Sequence, residues 1–462
     1  MSKAQLDGPR QIDLYASHEP IHVRQVPGFF SQLRLALRWG GFALLLALPW
    51  LSWNGEPLLR LDLPARHFQV FGFTFFPQDF MLVSWLLIIG AFALFTFTNW
   101  LGRVWCGYVC FQSVWFSLFM DLERWVEGSR NKRIRLAKAS WTGEKVRLRA
   151  LKWLLWTLLA GATALSIMGL FVPIDALLAG LATWSLTGWT VFWLGFFAVV
   201  TFLMGGILRE QACLYMCPYA RFQSAMFDPD TLIVSYDAAR GEPRSAKKRA
   251  AEGAGDCVDC SLCVQVCPTG IDIRNGLQYE CISCAQCIDA CDTVMDKLEK
   301  PRGLIRYTTE HDLAGKPSKT FRPRLIGYAA VLLAMISTVA IATANRVPLE
   351  LQVLRDRGSL YGRVTTDAGA LRIENVYTVR VVNKDRAPRT VTLAVTGLPE
   401  LTIDGPQTLE LAGQEVRTEI IRLLAPPPAA PNQELRFTLT DTADAALRVA
   451  RESRFLAPGQ TP

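Results

Sequence analysis

Long apolar runs, a doubled cysteine spacing and a C-terminal stretch of alternating residues predict the fold class. It is a polytopic α-helical membrane protein with an inserted bacterial-type 2[4Fe–4S] ferredoxin domain and a C-terminal immunoglobulin-like β-sandwich. The 462 residues suffice for two or three domains. Hydrophobic residues make up 51% of the chain but are unevenly spread, falling in long runs within the first 210 residues and again near 325–344. A net charge of +8 could signal nucleic acid. The basic residues cluster beside the apolar runs, however, which is the footprint of membrane topology and argues against a nucleic-acid partner.

Crossing roughly 30 Å of hydrocarbon at about 1.5 Å per residue takes about 20 residues. About five segments qualify: 34–53, 79–100, 151–172, 187–208 and 324–344. The first begins more than thirty residues in and lacks a small-residue cleavage pattern, so it is expected to stay as an anchor. Between the second and third spans lies "RWVEGSRNKRIRLAKASWTGEKVRLR", dense in Arg and Lys, whereas "PIDALLAGLATWSLTG" between the third and fourth has neither. The positive-inside rule then places the N-terminus and the basic connection in the cytoplasm, and the C-terminal tail outside. The expected layout is a multi-pass protein of the bacterial inner membrane. Residues 1–33 form a cytoplasmic segment, and 34–235 a membrane domain of four transmembrane helices with two C-x3-C motifs. Residues 236–323 form a cytoplasmic ferredoxin domain, 324–344 the fifth transmembrane helix, and 345–462 a periplasmic immunoglobulin-like domain.

The inserted domain rests on C-x2-C-x2-C-x3-C, which occurs twice, at Cys257, Cys260, Cys263 and Cys267 and at Cys281, Cys284, Cys287 and Cys291. Two-residue gaps wrap the backbone around one face of a cubane, and the fourth thiolate of each run ligates the other cluster. Cys257, Cys260, Cys263 and Cys291 are therefore expected on one [4Fe–4S] cluster, and Cys267, Cys281, Cys284 and Cys287 on the second. Zinc is the alternative for C-x2-C pairs, disfavoured by two full copies of the ferredoxin spacing with Pro268 after the first. The second run ends Cys291–Asp292 without that proline, which removes no ligand. Ahead of the clusters, "YDAARGEPRSAKKRAAEGAGD" reads as a flexible tether or a solvated face.

Eight of the twelve cysteines lie in those runs. The other four form two C-x3-C pairs, Cys106 with Cys110 in "RVWCGYVCFQSVW" and Cys213 with Cys217 in "CLYMCPYARFQS", which read as a weak internal repeat. On a continuous helix, residues i and i+4 share one face, so each pair can offer two sulfurs to a soft ion such as Cu(I) or form a redox-active dithiol. Plain packing of small apolar side chains is the structural alternative. Pro218 cannot continue a regular helix and is expected to bend or start one. The second and fourth spans run in the same direction, which places all four thiols at one depth, on the ferredoxin side. The histidines, His18, His22, His67 and His311, all lie outside the apolar cores, which argues against a transmembrane b-type haem.

From about 349 to 458 the period becomes two, as in "ENVYTVRVVNKD" and "ELRFTLTDT", the pattern of short sandwich strands. This part has no cysteine, and is read as an interaction or scaffolding domain.

This ordered combination resembles the cytochrome c oxidase accessory protein family (CcoG/FixG/RdxA type), which supports assembly of cbb3-type haem–copper oxidases. The likeness covers nearly the whole chain: "GRVWCGYVCFQSVW", "CLYMCPYARFQSAMFD", the double ferredoxin run, a fifth span and the β-rich tail. The chain departs from the family at Phe111, where members usually carry proline. The resemblance implies a membrane-bound iron–sulfur protein, a cupric reductase that converts Cu(II) to Cu(I) on the cytoplasmic side. Copper would be its substrate or bound ion, and Cys106, Cys110, Cys213 and Cys217 its catalytic, copper-handling thiols. The eight cluster cysteines would form the electron relay. Implied partners are copper carriers or cbb3 oxidase assembly factors; the electron donor is unspecified, and a homo-oligomer is compatible with the chain. Two other readings compete. One is a quinol dehydrogenase-type ferredoxin of a periplasmic reductase, which the long β-rich tail disfavours. The other is a non-enzymatic redox sensor or assembly scaffold, which would need no sustained electron flux.

Overall fold

The computed structural model describes residues 21–458 apart from 54, 65–66, 72, 77–78, 246–253, 357, 366–369 and 429. The chain divides into two units, residues 1–337 and 338–462.

The first unit opens with α1 (Phe29–Ala47), α2 (Phe80–Leu101), α3 (Val104–Tyr108), α4 (Phe111–Glu127), α5 (Arg130–Lys138), α6 (Gly143–Met168), α7 (Ile174–Ala182) and α8 (Gly188–Phe202). Among the described residues five helices are long and apolar enough to cross a membrane: Phe29–Trp50, Met81–Leu101, Gly143–Met168, Gly188–Leu208 and Pro323–Ala344. They overlap the five predicted segments, and the first and third both start and end earlier than expected. The first starts at Phe29 because Asp289 accepts from Phe30 N (3.3 Å) and Ser31 N (2.6 Å), satisfying donors that a helix start leaves open. The third starts at Gly143, where the Thr142 side chain accepts from Lys145 N at 3.3 Å and caps a polar first turn. Between α1 and α2 the chain forms β1 (Ser52–Trp53), β2 (Glu56–Pro57), β3 (Leu59–Asp62), β4 (His67–Val70) and β5 (Phe73–Phe75), paired as one hairpin and one three-stranded sheet.

Helix α4 lies at the centre of this unit. It buries Phe116, Leu118 and Phe119 together with Asp121, Glu123 and Glu127. Each acid meets a cation from a neighbouring segment: Arg38 of α1 lies 2.7 Å from Asp121, Lys152 of α6 lies 2.9 Å from Glu127, and Arg209 pairs with Glu123. Charges inside apolar spans are expensive unless paired. The acids of α4 therefore account for Arg38 and Lys152, two of the cations carried by α1 and α6. Tryptophan packing completes the contact, with Trp156 of α6 donating from Nε1 to the Phe119 carbonyl at 3.1 Å.

After α8 the chain continues through wider turns into α9 (Pro218–Met226) and the cysteine-rich region. Strand β6 (Ile233–Tyr236) and strand β7 (Ile305–Thr308) pair antiparallel, Ile233 opposite Thr308, and bring the ends of that region together. Between them lie the short helices α10 (Ala238–Gly241), α11 (Leu262–Gln265) and the longer α12 (Gln286–Lys297). Val234, Ile273, Ile288, Met295, Leu304 and Ile305 form their shared core. The stretch read as a flexible tether is tied down at both described ends. Arg240 pairs with Asp256 at 2.6 Å, and Ser245 N donates to the Cys257 carbonyl at 3.1 Å. The described charges here, Asp237, Arg240, Glu242, Arg244 and Asp256, serve local ion pairs, and residues 246–253 lie outside the described residues. A single turn, α13 (Glu310–Leu313), precedes the fifth long helix, α14 (Pro323–Ala344).

The second unit is a two-sheet antiparallel sandwich. One sheet runs β12 (Thr402–Asp404), β14 (Val416–Ala425), β10 (Leu371–Asn383), β8 (Leu349–Arg355), with β9 (Gly362–Thr365) also on β10. The other runs β13 (Thr408–Leu411), β11 (Arg389–Thr396), β15 (Asn432–Asp441), β16 (Arg448–Leu456). Alternate residues of β10, among them Ile373, Tyr377, Val379 and Val381, are fully buried in the core, as period two requires. Tyr377 packs 5.2 Å from Phe437 of the opposite sheet and satisfies its hydroxyl on the Arg454 carbonyl at 2.8 Å.

Candidate electron-transfer site

The two cysteine runs fold alike. In the first, Asp259 (φ 49°) and Ser261 (φ 53°) flank Cys260; in the second, Ser283 (φ 50°) and Ala285 (φ 58°) flank Cys284. Non-glycine residues enter this left-handed region at a cost of about 1–2 kcal/mol each. Four of them, at matched positions, mark loops bent to turn their thiols toward a common centre. Arg274 steadies the first loop by pairing with Asp272 at 2.7 Å and with Asp259. In the second, Ser283 N donates to Cys281 Sγ at 3.4 Å.

Each loop borders a cavity. Cys257, Cys260, Cys263 and Cys291 line one with about 380 Å³ of unfilled space, its open side included. Cys267, Cys281, Cys284 and Cys287 line another of about 350 Å³, which Cys263 also borders. Each cavity is thus lined by three thiols of one run and the fourth thiol of the other. Burial pushes the thiol of Cys263 up to about 11 and those of Cys281 and Cys291 up to about 12. Thiols that resist ionisation alone and converge on apolar cavities fit a ligand that supplies its own positive charge, and the donor set fits two [4Fe–4S] clusters.

The C-x3-C motifs depart from expectation in one respect. Neither pair lies on a continuous helix. Helix α3 ends at Tyr108, and Cys110 is extended (φ −55°, ψ 127°) at the N-cap of α4. Cys213 lies in the wide turn Ala212–Met216, and Cys217 (φ −77°, ψ 111°) caps α9, with Pro218 as its first residue. Proline is favoured there because its missing N–H would be unpaired in any case. Phe111 fills the same position without proline's restriction and stacks on Trp115 at 3.9 Å, so the departure at Phe111 leaves the backbone unchanged in type. The repeat visible in the sequence is thus a structural one: a thiol, a break, and a second thiol at the cap of the helix bearing Phe-Gln-Ser.

The glutamines of that repeat reach across. Gln112 donates to the carbonyls of Met204 (2.9 Å) and Arg209 (3.0 Å), just before the second motif. Gln223, buried on α9, lies 3.5 Å from Cys106 Sγ and 3.5 Å from Thr98 Oγ1. Cys213 is within electrostatic reach of Cys106, Cys110 and Cys217. Burial pushes the Cys106 thiol up to about 11 and the Cys213 thiol up to about 12. Among the described residues no three Cys, His, Asp or Glu side chains are close enough to hold a single ion as placed. Gathering these four sulfurs around any single ion would require the side chains to move.

The two kinds of thiol meet. Ile282 and Cys284 of the second run form one buried cluster with Phe116 of α4, against which Cys106, Cys213 and Met120 pack. Arg34 of α1 bridges the parts, donating to the Gly107 carbonyl (2.9 Å) and to Gln286 (2.8 Å). Arg103 donates to the carbonyls of Tyr279 and Ala220. The sequence had no signal for these bridges, because isolated arginines near span ends read as topology markers. Of the histidines, His311 Nδ1 lies 2.8 Å from Asp230. His18 lies outside the described residues.

Comparison with known proteins supports both parts. A family model described as "4Fe-4S dicluster domain" matches residues 208–310. A second, described as "IG-like fold at C-terminal of FixG", matches residues 339–458. The chain is 40% identical to protein RdxA of Cereibacter sphaeroides over 428 residues, covering 89% of this chain and 90% of that one. Protein RdxB of the same organism is 38% identical, with 96% and 98% covered. Nitrogen fixation protein FixG of Rhizobium meliloti is 36% identical, with 87% and 83% covered. Similarity of this extent, together with the matched tail, places the chain in the FixG/RdxA family of membrane iron–sulfur proteins.

Proposed function

We propose that this protein is a membrane-bound cupric reductase. It would take electrons through two [4Fe–4S] clusters and reduce Cu(II) to Cu(I) at Cys106, Cys110, Cys213 and Cys217, supplying copper for assembly of a cbb3-type oxidase. The observation that carries this reading is the packing of Cys106 and Cys213 against the buried cluster of Phe116, Ile282 and Cys284, the last a thiol of the second cluster cavity. Cys257, Cys260, Cys263 and Cys291 would hold one cluster, and Cys267, Cys281, Cys284 and Cys287 the other. When bound, the clusters supply one-electron storage and transfer.

The residues do the rest. Thiolates favour Cu(I) over Cu(II), so sulfur ligation by the four thiols makes acceptance of an electron by the ion more favourable. Each Cu(II) takes one electron, drawn originally from an external low-potential one-electron donor. Each neutral thiol that binds the ion releases its proton. Phe116 and Ile282, both buried, give the thiols that pack beside Cys284 an apolar surrounding. Lys and Arg crowd the connection between the second and third spans and are absent from that between the third and fourth, which supports a cytoplasmic site and a periplasmic tail.

The test is steady-state turnover. Anaerobically purified protein with excess dithionite-reduced mediator and excess Cu(II) should form Cu(I), trapped by a chromogenic chelator, over many turnovers and above the mediator's own rate. A single burst matching the stored electrons, with no turnover, would instead describe a sensor or scaffold.

A further inference from the structure

We propose that Tyr108 is a positioning residue for electron transfer, fixing the Cys106 hairpin against the loop that presents Cys284. The proposal rests on the copper-reductase reading above, and it concerns a residue to which that reading assigns no role. Tyr108 stands midway between the two thiols of the first motif and is only 7% exposed. Its hydroxyl lies 3.3 Å from the Cys284 carbonyl and 3.3 Å from the hydroxyl of Tyr307. Tyr307 in turn donates to the Ser283 carbonyl at 2.6 Å. Tyr307 spends its proton on Ser283, so Tyr108 donates, sharing its proton between the Cys284 carbonyl and the Tyr307 oxygen. One side chain from the membrane motif and one from β7 thus grip consecutive peptide carbonyls of the same ligand loop.

The backbone confirms how closely these parts approach. A Cβ on Gly107 would stand 2.7 Å from the Ile282 carbonyl oxygen and 3.0 Å from Cys284 Cα, contacts that only glycine allows. The hydrogen bonds of Tyr108 therefore act at an interface with no slack. They hold Cys106 and Cys284 at one separation, the quantity on which transfer between cluster and copper site depends. A donor facing the carbonyl of a ligand residue also favours the more negative, reduced state of that site. Tyr108 therefore has two measurable effects, one on rate and one on potential. Tyr215, its counterpart in the second motif, is 67% exposed and serves as an internal control.

The experiment compares Tyr108→Phe, Tyr307→Phe and Tyr215→Phe in the full-length, cluster-loaded protein. Midpoint potentials are measured by spectroscopically monitored redox titration without copper, and cluster reoxidation is followed after rapid mixing of reduced protein with Cu(II). Tyr108→Phe should retain about eight irons, move the second cluster to lower potential while leaving the first, and slow reoxidation about tenfold. Tyr307→Phe should shift both quantities in the same direction by less, and Tyr215→Phe neither. If Tyr108→Phe does not load its clusters, Tyr307→Phe decides the matter, since it alters the same bridge from the other side. Wild-type rate and wild-type potentials in the loaded variants would overturn the proposal. Failure of the wild-type protein to reduce Cu(II) would instead overturn the functional reading, while the copper-free titration still decides whether Tyr108 acts on the second cluster.

Discussion

The two C-x3-C motifs share a local fold and differ in what surrounds them. Both place the second thiol at a helix N-cap and both carry a glutamine that reaches the other motif or its approach. The first motif then turns Gly107 and Tyr108 into the ferredoxin-like loop. The second has Leu214 and Tyr215 at the same positions, with Tyr215 67% and Met216 57% exposed. A duplicated sequence has thus been built into two halves that each send one thiol to the cluster of Phe116, Ile282 and Cys284, while the first alone grips the ferredoxin-like loop through its Gly-Tyr pair. The thiol spacing is repeated while the contacts around it are not.

The largest expected effect breaks the pairing of the halves. Cys106→Ser with Cys110→Ser, or Cys213→Ser with Cys217→Ser, should each weaken Cu(I) binding by about a hundredfold or more, because oxygen is a poor ligand for a soft ion. Competition with a Cu(I) chelator measures this, and iron content should stay near eight per chain. If one double variant binds as the wild type does, the motifs do not share a site. The next effect separates the halves by packing. Gly107→Ala forces a Cβ onto the Ile282 carbonyl, and such overpacking costs about 1–3 kcal/mol. It should lower the thermal midpoint and loosen the second cluster, whereas Leu214→Ala should leave the iron in place.

Protonation gives a smaller effect on both halves. Burial holds the Cys106 thiol near 11 and the Cys213 thiol near 12, so both are protonated at neutral pH and must lose protons to bind copper. Cu(I) affinity should therefore rise with pH between 6 and 8, by about tenfold per unit for each proton released, and level only as pH nears those values. A flat profile would mean that these two thiols are not ligands. Smallest is the crossed contact. Gln223→Leu removes the polar neighbour of Cys106, worth about 0.5–1.5 kcal/mol. It should weaken Cu(I) binding several-fold without changing cluster potentials.

Much of this architecture was legible in the sequence, for reasons that are local. An apolar run long enough to span a bilayer declares itself, as does a C-x2-C spacing imposed by the size of a cubane, or a period of two in a sandwich strand. Helix α4 did not declare itself, because Asp121, Glu123 and Glu127 interrupt its apolar face and their partners lie on other segments. The break inside the motif was hidden at the first pair, where "CGYVC" carries no proline and the helix nevertheless ends at Tyr108. At the second pair Pro218 signalled it. The junction of thiols and clusters was the least visible part: Tyr108 and the Cys284 carbonyl are 176 residues apart, and no local pattern encodes such a contact.

The central claim is that copper accepts its electron at the membrane thiols and not directly from the clusters. The variant carrying serine at Cys106, Cys110, Cys213 and Cys217, loaded with clusters, reduced anaerobically and mixed with Cu(II), tests it most directly. The account predicts clusters that stay reduced and Cu(I) formation no faster than in the protein-free control. Wild-type rates of Cu(I) formation by this variant would contradict it, and would return the four thiols to the role of helix packing.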